Sequence, residues 1–451
     1  MQAEPGGEFG RRGGVRRALE QREQRTASGC SERAVARIVC PGLDHVFESI
    51  SILYIGSMTT TPVPRRRSRV PRGRLLLLAL GGAAMLAGLD AALLRLGAAA
   101  PVRSVPLASV HGVLMVYGFL GTVITLERAV ALRSGGSRRD SWAYLAPAAC
   151  AAGTVLLLAQ VAGLPVPGGR LVPGLAWILG LGAFVAVYVA IWRRQAAAAV
   201  LVQALGAVCG LAGIALWTRG LDVATIMPWW ACLLVLTVLG ERLELARLAF
   251  LARGTETRVV AEVCAVLVAL VATLLSPAWG YPALGLTLGI LVVDIAVHDV
   301  ARRTVRAPGL TRVMAVSMLA GYAWVVVAAL VWILGGPALS GYRYDIVIHA
   351  LTIGFALSMV MAHAPVVVPA IVRRPLPYHP VMWVVLALLH GGLAVRALGA
   401  SYAAEGAWRL GGTVSVVAVL ALLGTVVART SVGARPGPRA VPTEPTTAVV
   451  S

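Results

Sequence analysis

Lysine is missing from this sequence. All 40 basic residues are arginine, against 20 acidic ones, which leaves a formal net charge of +20 over 451 residues. Charge of either sign is nonetheless scarce, at 13% of residues, about half of what a soluble domain carries. That scarcity leaves no room for a large soluble domain. The six cysteines (Cys30, Cys40, Cys150, Cys209, Cys232 and Cys264) show no CxxC or other metal-type spacing, so ordinary buried thiols are expected. There is no glycine-rich phosphate loop, no HExxH and no nucleophile–base pair, so nothing reads as a soluble active site. The N-terminal residues also lack the apolar run and small-residue cleavage site of a secretory signal.

What the chain has is apolar sequence. Hydrophobic residues make up 58% and mean hydropathy is +0.80. Apolar runs of about 20 residues recur throughout, the length needed to cross a bilayer as a helix. The expected fold is all-α: a polytopic membrane helix bundle with spans at 75–96, 107–130, 143–163, 172–192, 196–217, 223–240, 259–276, 281–299, 313–335, 345–371, 380–398 and 410–428. The membrane domain is placed at 74–429. Before it, 1–73 reads as an Arg-rich disordered leader with a possible translation start at Met58, and after it 430–451 reads as a Pro/Thr/Arg tail.

The arginines then set the orientation. With the N-terminus inside, inner loops carry Arg128, Arg133, Arg138, Arg139, Arg193, Arg194, Arg242, Arg247, Arg253, Arg258, Arg302, Arg303, Arg306, Arg312, Arg373 and Arg374. Outer loops carry Arg95, Arg103, Arg170, Arg219, Arg343, Arg396 and Arg409. The positive-inside rule puts both termini in the cytoplasm. The basic excess therefore belongs to topology, and no nucleic-acid partner is expected. The lysine-free, Ala-, Gly- and Val-rich composition points to a GC-rich bacterial genome, hence to the bacterial cytoplasmic membrane.

Two spans look alike. Span 2 begins HGVLMVYGF at His111 and span 10 begins HALTIGF at His349. Aligning Gly118–Phe119 on Gly354–Phe355 is an offset of 236, and it sets Glu127 opposite His363. Aligning Glu127 on Glu241 in span 6 is an offset of 114, about half as large. Three blocks of four spans follow as an expectation, with spans 2, 6 and 10 equivalent.

His111 and His349 each lie about one helical turn below the outer surface. Two imidazoles at matched depth on facing helices can bind one haem iron from both sides. Small residues, Gly112, Gly118 and Gly121 on span 2 and Ala350 and Gly354 on span 10, would let a macrocycle approach. Arg396 and Arg409 sit where haem propionates would point. The alternative for each histidine is a hydrogen bond to a neighbouring helix. His363 lies about 21 Å deeper than His349, out of reach of the same iron. It is a candidate for a second metal or haem, or for a proton relay with Glu127, Glu241 and Glu244. His390, in the middle of span 11, is a competing metal ligand. Asp90 and Asp294 are further intramembrane charges, and Arg95 is a possible partner for Asp90. Interfacial salt bridges are the plainer expectation for Glu127–Arg128 and Glu241–Arg242.

The stretches His111–Gly121 and His349–Arg396 resemble the NnrS family, twelve-span bacterial membrane proteins described as containing haem and copper and linked to the response to nitric oxide. The family's span 2 motif is matched by His111, Met115, Gly118 and Phe119. Its late His-Ala-Leu-Thr-x-Gly is matched by His349, Ala350, Leu351, Thr352 and Gly354, and a following Arg-x-Leu-Gly by Arg396, Leu398 and Gly399. The resemblance implies haem b, with copper the weaker expectation because the family's second span 2 histidine is replaced around Ser109 and its later glycine–histidine motif is absent near His363. The span count also resembles the catalytic subunit of haem–copper oxidases. Span 6 here reads MPWWACLL and span 7 has no histidine, so a binuclear oxygen-reducing centre is not expected. A single bis-histidine haem on His111 and His349 is, serving electron transfer or nitric-oxide response with a redox partner or quinone; any enzymatic activity would be that of an oxidoreductase. The competing reading is a secondary transporter or permease without haem, to which twelve spans, internal repeats, Asp90, Asp294 and His390 point.

Overall fold

The computed structural model describes residues 71–136, 138–247 and 254–432. The expected leader as far as residue 70, the start at Met58, Cys30, Cys40, His45 and the tail beyond residue 432 lie outside these ranges. Within them the chain is helical, and twelve helices are long and apolar enough to cross a membrane. They are α1 (Arg72–Arg95), α2 (His111–Ser134), α3 (Arg139–Val161), α4 (Leu171–Arg194), α5 (Ala198–Thr218), α6 (Val223–Glu244), α7 (Thr255–Leu275), α8 (Pro277–His298), α9 (Gly309–Gly335), α10 (Gly341–Val372), α11 (Val381–Ser401) and α12 (Glu405–Val432). The protein is a polytopic helical membrane bundle, with its spans within a few residues of those expected. The largest difference is α12, which begins at Glu405 and runs 28 residues; α10 begins at Gly341 and runs 32.

Each span packs on the next, and α12 packs back on α1. α2 and α6 are the most enclosed, with 72% of their apolar windows buried, and α10 reaches 56%. α10 contacts both α2 and α6. The three helices that the sequence sets equivalent are thus neighbours in the interior.

Lipid offers no hydrophobic drive between helices, so close packing has to come from small residues. On α1, Gly81, Ala84 and Gly88 form a buried stripe against α2. On α11 and α12 the backbones nearly touch. A Cβ on Gly399 would lie 2.4 Å from Trp408 N, and one on Gly411 would lie 2.3 Å from Arg396 N. This approach buries Arg396, which is 8% exposed, between the two helices.

α2 and α10 share an irregularity. Each becomes a π-helix for eight residues just after its histidine, over Leu114–Gly121 and Ala350–Leu357. The two segments are offset by 236 at both ends, the offset that aligns Gly118–Phe119 with Gly354–Phe355. A π segment bonds i to i+5, is rare, and is found frequently at functional sites.

Candidate functional site

The outer ends of α1, α2, α10 and α12, with Trp230 of α6, line a cavity of about 520 Å³. The volume falls in the range of cofactor-sized pockets. His111 and His349 both line it. Cavity-facing residues then recur every four positions, as Met115 and Phe119 after His111 and as Ile353 and Leu357 after His349. The walls are apolar, and the polar groups Arg95, Ser109, Tyr342, Tyr344, Asp345 and Arg396 converge on the region of the helix ends.

The hydrogen bonds of the two histidines fix their tautomers. His111 Nδ1 lies 2.7 Å from the carbonyl oxygen of Gly88 on α1. His349 Nδ1 lies 2.8 Å from the carbonyl oxygen of Asp345, one turn earlier on α10. A carbonyl only accepts, so each Nδ1 carries the proton and donates. In the neutral ring, each Nε2 then keeps its lone pair. This is the arrangement in which a histidine serves as a metal ligand, with Nδ1–H anchored by the protein and Nε2 presented.

His349 has a further anchor. The Asp345 carboxylate lies 3.3 Å from its Nδ1. Arg396 holds that carboxylate at both oxygens, Nε to Oδ2 at 2.9 Å and Nη2 to Oδ1 at 2.6 Å. Trp408 Nε1 donates to Oδ2 at 2.9 Å, and the Arg396 guanidinium sits 5.1 Å from the Trp408 ring centroid. Arg396 is thus at the expected depth and lines the cavity, but its principal partner is Asp345. Asp345 and Trp408 were not anticipated as site residues. The available signal was a carboxylate four residues before His349, on the same helical face.

The other expected residues are placed as follows. Gly118 and Gly354 do not face the cavity. A Cβ on Gly118 would meet Ala84 and Thr154 at 3.0 Å, and one on Gly354 would meet Trp324 at 2.4 Å. Both glycines admit a neighbouring helix, not a ligand. Gly112 does line the cavity, against the Trp230 ring. Trp324, seated on Gly354, donates to His390 Nδ1 at 3.0 Å, so His390 Nε2 bears the proton and faces Ser358 Oγ at 3.3 Å. Both nitrogens of His390 are engaged, which leaves it no free lone pair for a metal. His363 also lacks one, because its Nδ1 donates to Met359 O at 2.7 Å and its Nε2 accepts from Arg242. Asp90 takes a hydrogen bond from Val102 N at 3.2 Å, while Arg95 reaches the Ala108 carbonyl; the Asp90–Arg95 pair does not form. Asp294 pairs with Arg258 at 2.9 Å. Among the described residues no three His, Cys, Asp or Glu side chains converge as a metal-binding group.

Residues 74–431 match a family model described as a domain of unknown function (DUF8744). No curated protein and no solved structure matches the chain.

Proposed function

The chain belongs to the DUF8744 family, and from the geometry of its cavity we propose that it is a membrane haem protein with one b-type haem held between α2 and α10. The observation that carries this reading is the pair His111 and His349: two histidines on one cavity wall set, each with Nδ1–H anchored on a carbonyl and Nε2 free to coordinate. The apolar walls suit a macrocycle, and Arg95 and Arg396 supply positive charge for its carboxylates. A haem bound by two histidines supplies one-electron chemistry. Were His111 and His349 both to hold the haem, electron transfer with a redox partner or quinone would be favoured over turnover of a substrate. The resemblance to the NnrS family adds the response to nitric oxide as the setting, and the bacterial cytoplasmic membrane, with both termini inside, as the location.

A transporter without haem is the second reading. It is favoured by the departures from α-helix in α2 and α10 beside a cavity, since transporters bind substrates at interrupted helices. An optical spectrum separates the two. Protein purified after haem-supplemented expression should show a sharp reduced-minus-oxidised α band and, by pyridine haemochrome, one haem per chain. A featureless spectrum would refute the haem and leave the transporter.

A further inference from the structure

About 20 Å along α10 from His349, a second polar cluster lies between the same three inner helices. Glu127 of α2, Glu241 of α6 and His363 of α10 meet there, and they are the three residues set equivalent by the offsets of 114 and 236. Arg128 lies 3.0 Å from Glu127 and bonds Glu241 on the facing helix. Arg242 donates to His363 Nε2, and its other terminal nitrogen lies 3.5 Å from Met318 Sδ of α9. The side chains of Glu127, Glu241 and His363 are each less than a quarter exposed. Two glutamates and two arginines balance, so with a neutral imidazole the cluster carries no net charge.

A static salt-bridge lock does not account for the placement of His363. Its neutral tautomer is fixed, because Nδ1 donates to the Met359 carbonyl. Its Nε2 accepts from a cation, Arg242, although a carboxylate oxygen, Glu241 Oε2, lies 3.8 Å from the same nitrogen. That one nitrogen therefore has two partners suited to opposite protonation states. Without a proton on Nε2 it bonds Arg242; with one it bonds Glu241.

We propose that His363, Glu241 and Arg242 form a proton-binding site in the membrane interior. A proton from hydronium in the adjoining water adds to the Nε2 lone pair, leaving water; the Arg242 N–H···Nε2 bond breaks, and the new Nε2–H donates to Glu241 Oε2. Arg242 is displaced along α9, where Tyr322, one turn beyond Met318, donates to Asp299 Oδ2 at 2.7 Å. The charged and titratable groups around the site are Glu127 and Arg128 on α2, the buried Tyr188 on α4, Glu241 and Arg242 on α6 with Glu244 exposed a turn away, Tyr322 with Asp299 on the α9 side, and Arg74 of α1, which donates to the Ala370 carbonyl at 3.3 Å. The site does not depend on a haem being bound.

The test is solid-state NMR of the full chain in lipid nanodiscs, labelled with ¹⁵N in histidine and arginine side chains, as pH falls from about 8 to about 5, the range in which histidine charges. One histidine should pass from the Nδ1–H tautomer to the imidazolium, and this signal should be missing in His363→Gln. An arginine signal missing in Arg242→Gln should move over the same range, and Glu241→Gln should lose the imidazolium there. The glutamine at 363 keeps an acceptor for Arg242, and the paired histidine and arginine shifts in the unmutated protein decide the matter even where a variant fails to fold. The proposal is overturned if no titrating signal disappears in His363→Gln, if the Arg242 signal stays still while His363 titrates, or if His363 keeps its neutral tautomer throughout.

Discussion

Replacing Asp345 by asparagine removes one charge and disturbs three side chains, Arg396, Trp408 and His349. The carboxylate accepts two bonds from Arg396 and one from Trp408, and lies 3.3 Å from His349 Nδ1. Asparagine keeps one oxygen and turns an NH₂ toward donors, so Arg396 loses one acceptor in either orientation and Trp408 loses its own when the NH₂ replaces Oδ2. Arg396, at 8% exposed, is then a buried guanidinium with no counter-charge. Breaking a buried ion pair on one side costs about 3–5 kcal/mol, whereas replacing both partners with uncharged residues is often close to neutral. Asp345→Asn should therefore lose about 3–5 kcal/mol in unfolding from detergent micelles, and Asp345→Asn with Arg396→Met should regain most of it. In haem-loaded protein the single variant should also alter the low-spin spectrum, since His349 keeps its carbonyl anchor but loses the carboxylate. A loss under about 1 kcal/mol, or a double variant as unstable as the sum of the singles, would show that Asp345 and Arg396 do not depend on each other as argued.

Other outcomes follow from the same geometry. His111→Ala and His349→Ala should each convert the low-spin haem spectrum to a high-spin or haem-free one, while His390→Ala should keep it, because His390 is engaged with Trp324 and Ser358. Gly88→Ala places a Cβ 2.6 Å from Met115 Sδ on the residue whose carbonyl holds His111. Overpacking of this kind costs about 1–3 kcal/mol; haem affinity should fall about tenfold in spectral titration, and Met115→Ala in the same chain should restore it. Arg128→Gln removes the cation that pairs with both Glu127 and Glu241 and leaves only Arg242 in the cluster, and it should cost about 3–5 kcal/mol. Arg258→Gln, at a side chain 47% exposed, should cost no more than about 1 kcal/mol in the same unfolding assay.

The fold was legible because membrane helices advertise themselves. Lipid obliges every backbone group to bond within the segment, so length and apolarity alone mark a span, and the twelve spans come out within a few residues of expectation. His111 and His349 were legible for a related reason: an ionisable side chain in an apolar run stands out. Asp345 was hidden because it is the first residue of the expected span, where it reads as an interfacial charge, and the structure begins α10 four residues before it. The roles of Gly118 and Gly354 were misjudged because a glycine in a span shows only that something comes close. Whether that is a ligand or another helix depends on Thr154, Ala84 and Trp324, which are remote in sequence. His390 was misjudged in the same way, since Trp324 and Ser358, which satisfy it, lie 66 and 32 residues away. Helix interruption by π turns left no mark, because neither segment contains proline and their apolar residues suit either helix.

The internal repeat joins these observations. In the sequence it rested on a Gly-Phe pair and a glutamate, similarity too thin to separate from chance among apolar helices. The structure adds two features that alignment of apolar residues does not require. The π segments of α2 and α10 begin and end at the same offset of 236, and the residues set equivalent to Glu127, namely Glu241 and His363, are brought into one cluster. Equivalent positions on three related helices converge where those helices face one another about a common centre. On such a scaffold the three blocks place equivalent polar residues together at one end. At the other end the helices differ: α2 and α10 bring histidines to the cavity, two residues out of the 236 register, and α6 brings Trp230. On the proposed reading α2 and α10 would supply the ligands and α6 a wall, an arrangement that suits a flat cofactor held between two helices. A cavity lined by three equivalent polar residues would have argued for an ion, and this asymmetry is the reason the histidine pair is read as a haem site.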